Sequence, residues 1–217
     1  MRINKQNGFT IVELLIASAV FSFVILGASV AIIQISRLYY KGIIVSNTQT
    51  SAKAILDSIT QAIQYESATI VSNDNASTVS LGDAPTTPHA VSVVCIGNNR
   101  FTFVKGVKQG SDTDNIKHAM WRDKIDNSGA CSTGVPDLTG SPLAGHDMLS
   151  DNMRVSKLEV NALKDSVGNE TGLYEVKLTV IYGDDDLIDG DKCKGQVAGS
   201  QWCSVVNYST IVFKRIK

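Results

Sequence analysis

Two hydrophobic patterns divide the chain. From Phe9 to Ile35 nearly every position is apolar (FTIVELLIASAVFSFVILGASVAIIQI), with one formal charge, at Glu13. A run of that length predicts a helix of roughly 40 Å, more than the ~30 Å hydrocarbon core of a bilayer requires. Further on, the apolar positions become periodic. Ile55, Ile59 and Ile63 recur four residues apart, with Ala52, Leu56 and Ala62 adjoining and Lys53, Asp57, Ser58 and Gln61 between them. One helix face is then apolar and the other wet. The first proline is Pro85, so the spacing predicts one helix over residues 9–66, ~87 Å long at 1.5 Å per residue. A break into two helices would fall at Gly42, since glycine costs about 1 kcal/mol relative to alanine in a helix.

After Glu66 the pattern changes to short β-rich runs between turn residues. Thr69–Ser72 and Thr78–Leu81 are expected to flank a turn at Asn73-Asp74-Asn75. Ala90–Ile96 and Arg100–Val104 flank Gly97-Asn98-Asn99, a hairpin signal. Lys117–Trp121, Arg154–Val160, Leu173–Tyr182 and Val205–Ile216 complete the set. In LYEVKLTVIY, Tyr174, Val176, Leu178, Val180 and Tyr182 share one face, as in a strand half-buried on a helix. Residues 122–151 are rich in Gly, Pro, Asp and Ser, and irregular stretches that long are usually functional or mobile. The expected fold class is α+β: one long N-terminal helix, with an antiparallel sheet packed on its second half.

The flanks of the apolar run add a topology. Arg2 and Lys5 precede it, Arg37 and Lys41 follow, and the short basic leader favours cytoplasmic retention of the start, placing the remainder outside. An ordinary signal peptide ending at Ala17-Ser18-Ala19 would have only eight apolar-run residues before it, with Glu13 inside. A plain single-pass anchor leaves unexplained an acid five residues into the run, which costs about 2.5 kcal/mol or more at bilayer depth.

Gly8-Phe9-Thr10-Ile11-Val12-Glu13, after a short leader with Arg2 and Lys5, resembles the processing site of type IV prepilins and pseudopilins. The resemblance spans residues 2–35. It implies cleavage by a prepilin peptidase between Gly8 and Phe9, N-methylation of Phe9, and a role for Glu13 in subunit assembly. It also implies partners among other pilin or pseudopilin subunits, met through the N-terminal helix, and a bacterial inner membrane location with an extracytoplasmic head. The expected division is 1–8 leader, 9–36 transmembrane and assembly half, 37–66 amphipathic half, and 67–217 head. Many major pilins carry a helix-bending proline in this region, and its absence here fits a minor pilin or pseudopilin. The order of elements, with Met120-Trp121-Arg122 and Met148-Leu149 between strands, resembles PilW-type minor pilins and the larger minor pseudopilins of type II secretion.

All four cysteines follow residue 90. Four cysteines allow three connectivities, and the sequence does not choose among them. Outside the cytoplasm their disulfides would persist. The resemblance implies a C-terminal loop pinned by Cys193 and Cys203, which leaves Cys95 and Cys131 as the second pair. No Cys-x-x-Cys occurs, so zinc is not expected.

The run from Asp184 to Asp191 raises a calcium reading on Asp184, Asp186, Asp189 and Asp191. Ile188 interrupts an EF-hand spacing and no Glu closes the loop, so no cofactor or metal is expected and a solvated turn is the plainer reading. His89, His118 and His146 show no metal-ligand spacing, and there is no nucleophile elbow, zinc-protease helix or phosphate loop. No enzyme activity is expected. Charge is balanced at 20 basic against 21 acidic residues, so no nucleic-acid partner is expected for this chain alone.

Overall fold

The computed structural model describes residues 9–66, 70–79, 89–110, 116–125, 131, 135–140, 144–195 and 199–215. The chain divides into two compact units, Met1–Tyr40 and Lys41–Lys217. The helix α1, Ile11–Tyr65, contributes its first thirty residues to one and its last twenty-five to the other, and it runs through Gly42 without a break in helical hydrogen bonding. A Cβ added at Gly42 would meet nothing, so this glycine serves no close approach.

In the first unit every described residue is solvent-exposed. In the second, α1 buries Ile44, Thr48, Ala52, Ile55, Ile59, Ala62 and Ile63. Steps of three and four keep these positions on one stripe. Thr48 joins the stripe because its hydroxyl donates to the Ile44 carbonyl at 2.7 Å, leaving no unpaired polar group. Ile55, Ile59 and Ile63 are fully buried, each contributing about 1.5–3 kcal/mol of apolar transfer.

Two larger antiparallel sheets pack on that stripe, and the head also has a small two-stranded ribbon. The first sheet has the order β1–β2–β3–β4–β5, formed by Ile70–Val79, His89–Ile96, Asn99–Val104, Met120–Lys124 and His146–Asp147. The second has the order β10–β7–β6, with β6 at Met153–Lys164, β7 at Glu170–Tyr182 and β10 at Ser204–Phe213. β8 (Ile188–Asp189) and β9 (Lys192–Cys193) form the ribbon. One core joins the isoleucine stripe to Val94, Ile96, Phe101 and Phe103 of the first sheet and to Val155, Leu158, Val176, Leu178, Val180 and Val206 of the second. Tyr174, Val176, Leu178 and Val180 all lie in that core, with Tyr182 packed against it. The α+β architecture is the one the periodicity implies, with two principal sheets in place of one.

Strands β2–β4 of the first sheet are buried on both faces. Val91, Val104 and Trp121 pack with Val107, Ile116 and Leu138, while Val93 and Cys95 pack with Ile125 and Cys131. The irregular stretch after β3 therefore supplies a second hydrophobic layer in its described parts. Sequence favours two strands around Asn73-Asp74-Asn75; the structure instead has one strand, β1, with a register shift between Asn73 and Ser77. Extra residues of β1 are absorbed there as an irregularity, so the polar triplet interrupts the pairing without reversing the chain.

Candidate processing and assembly site

Gly8 lies outside the described residues, so the geometry begins at Phe9, which is 75% exposed. Thr10 precedes the first helical residue, Ile11. Its N–H and its hydroxyl both donate to Glu13 Oε2, at 2.9 and 2.8 Å, and the Glu13 N–H donates back to the Thr10 hydroxyl at 3.3 Å. This reciprocal pattern is a capping box, which satisfies amide donors that a helix start leaves without intrahelical partners. The signal for it, Thr-x-x-Glu at the head of the apolar run, is present in the sequence and marks Thr10 as the cap. The carboxylate is thus held by its own helix start, three residues back.

The serines of the apolar run are turned inward on the backbone. The hydroxyls of Ser18, Ser22 and Ser29 donate to the carbonyls of Leu15, Ser18 and Ile25 at 2.9, 2.8 and 2.8 Å. With these bonds made, the serine hydroxyls ask for no water, and the helix is long and apolar enough to cross a membrane by length and composition. A family model described as a prokaryotic N-terminal methylation motif matches residues 3–29.

The match supports a type IV pilin-like family. No curated protein and no solved structure matches the chain. The pilin-like motif covers Phe9, Thr10 and Glu13 and ends within the apolar half of α1; it leaves the β-rich head untouched.

In the head, Cys95 is joined to Cys131 and Cys193 to Cys203. The first disulfide ties β2 to the layer covering its sheet, and the second closes the loop before β10. The acidic run is dispersed over separate partners. Asp184 pairs with Lys108 at 2.9 Å, Asp185 with Arg154, and Asp191 accepts from the Ser156 hydroxyl. Among the described residues no group of three or more His, Cys, Asp or Glu side chains is placed to hold a metal ion.

His118 and Asp147, distant in sequence, are brought together at 2.9 Å. The other ring nitrogen of His118 faces the Gly140 carbonyl at 3.1 Å, and the ring stands edge-on to Trp121. Both nitrogens are engaged in holding the covering layer to β4 and β5. Asp137 lies nearby, its carboxyl held below the usual range chiefly by the Thr139 hydroxyl. His146 stands opposite Arg122 in the β4–β5 register. A buried Arg100–Asp123 ion pair crosses β3 and β4 beneath the same layer; adjacent-strand register brings the two together, which no local spacing rule reveals.

Proposed function

We propose that this chain is a minor type IV pilin, a structural, non-catalytic subunit that joins or primes a pilus-like fibre serving adhesion, twitching or DNA uptake. The carrying observation is the methylation motif running directly into an exposed apolar helix. In this reading residues 1–8 are a leader removed by prepilin peptidase, and Phe9 becomes the methylated N-terminus. Residues 9–36 pass from the inner membrane into the fibre, residues 37–66 carry the head, and residues 67–217 complete it outside the cytoplasm. Two disulfides suit that compartment, since thiols stay reduced in the cytosol. Calcium is no part of this reading.

Intact-mass measurement of membrane-extracted protein tests the first step. The expected mass lacks residues 1–8 and carries one methyl group on Phe9, and Gly8→Lys blocks the cut. A native N-terminus at Val20, after Ala17-Ser18-Ala19, would replace the pilin reading with ordinary signal peptidase processing. Sheared surface fibres containing the mature chain establish the fibre role; their lack of it would leave an anchored binding module.

A further inference from the structure

Among the described residues the two larger sheets have four edges, and three of them are guarded. β1 carries the register shift between Asn73 and Ser77. β5 is two residues long. β6 has a register shift of its own between Val155 and Lys157, an exposed Lys157–Glu159 ion pair at 3.1 Å, and carbonyls at Met153 and Val155 already taken by the Gln109 and Gly106 amides. Bulges, shortness and charge are the devices by which proteins keep edges from pairing with other chains.

β10 has none of these devices. It is ten residues long, SVVNYSTIVF, with no charge, proline or glycine, and it pairs with β7 from end to end without a shift. Lys214 N–H donates to Gly172 O at 2.9 Å, extending that ladder by one hydrogen-bonded pair. Alternation in an antiparallel ladder then gives β7 the backbone groups of residues 204, 206, 208, 210 and 212. The N–H and C=O groups of Val205, Asn207, Ser209, Ile211 and Phe213 point the other way, and no strand among the described residues pairs with that edge. Ile211 and Phe213 are 62% and 57% exposed.

We infer that β10 is an assembly edge, onto which a neighbouring subunit of the same fibre adds an extended, uncharged strand. The edge selects an extended backbone by its unused hydrogen-bonding groups, and its neutral side chains select a neutral strand. A two-fold β10–β10 pair between copies is disfavoured by direction. Near its start β10 lines an open groove with Val45 and Gln49, and just beyond its end the Arg215 N–H bonds the Gln64 carbonyl, so β10 runs along α1 in the same sense. Antiparallel self-pairing would oppose the two helices, whereas subunits delivered to one fibre from one membrane share a direction.

This inference rests on the fibre reading, and the experiment separates the two. Ser209→Pro removes an outward N–H that β7 does not use, and Ile211→Lys installs the missing charge on an exposed position. Both variants are measured for head melting temperature, for N-terminal processing and for abundance in sheared fibres, and a photo-crosslinking residue is placed at Ser209 in the otherwise native chain. The expected result is wild-type melting and processing, fibre abundance reduced by about tenfold or more, and a crosslink to another chain bearing a methylated pilin-type N-terminus. Ile211→Lys decides the matter if Ser209→Pro fails to fold. Folded variants present in fibres at wild-type abundance, or a crosslink only between two copies of this chain in opposed orientation, would overturn the edge while leaving the fibre role intact. A wild-type chain missing from fibres would overturn both.

Discussion

Glu13 has two separable properties, a hydrogen-bonding oxygen and a charge. The capping box with Thr10 uses the oxygen, and an amide side chain supplies one as well. Glu13→Gln therefore keeps the helix start while deleting the charge, and Thr10→Ala deletes the cap while keeping the charge, costing about 0.5–2 kcal/mol locally. If the charge serves subunit joining, the Gln variant is processed but disappears from sheared fibres, and the Ala variant remains in them. Quantitative blotting of membrane and fibre fractions reads the difference, and the reverse pattern would leave Glu13 with only its capping role. Gly97 makes a second single-residue case. It holds φ at 61° in the β2–β3 turn, and a Cβ there would stand 2.6 Å from the Glu66 Cβ. Gly97→Ala is expected to destabilise the head by about 1–3 kcal/mol, measurable by denaturant unfolding. It should also release Glu66 from its 3.0 Å bond with the Asn99 amide.

Among the elements, the β6–β7 hairpin has a loop organised by one carboxylate. Asp165 accepts from the Val167 and Asn169 amides at 2.9 and 2.8 Å and from the Asn169 side chain at 3.2 Å. These bonds, the Asn169 amide foremost, hold its carboxyl below the usual aspartate range. A folded-state value below the unfolded one stabilises the folded loop at pH above the ordinary aspartate value, and that contribution is lost as pH falls through the folded value. NMR titration of the Val167 and Asn169 amides should show a midpoint below the ordinary aspartate range, and Asp165→Asn should abolish the transition. A midpoint at or above that range would show that the loop does not depend on the ionised carboxylate.

At the scale of the whole molecule, the two disulfides differ in access. Cys95 and Cys131 are both buried, whereas Cys193 is partly exposed. Mild reductant on the native head should open Cys193–Cys203 first and reach Cys95–Cys131 only on unfolding, as alkylation and peptide mapping would show. Replacing Cys95 and Cys131 together by Ser should cost about 4 kcal/mol in the chain-entropy model, against about 3 for the shorter loop. The long helix and the strand faces were legible because burial imposes a period, as the Ile55-Ile59-Ile63 stripe and the alternation from Tyr174 to Tyr182 demonstrate. The processing motif was legible because its residues are contiguous. Two features were not. The second layer over the first sheet is built from Val107, Ile116 and Leu138, singly placed in irregular chain with no period to reveal them. The pairing of Arg100 with Asp123 depends on strand order, which local pattern does not specify.

The inward-turned serines of the apolar run have a further consequence. Because Ser18, Ser22 and Ser29 hydrogen-bond to their own helix, exchanging lipid for protein neighbours breaks none of these hydroxyl bonds and requires no replacement partner. The segment is solvated from within, like cargo that carries its own packaging. In the proposed fibre, moving it out of the bilayer then trades one set of van der Waals neighbours for another along the serine-bearing stretch, while Glu13 and the amine of the new N-terminus at Phe9 are the ionisable groups whose surroundings must be matched at the destination.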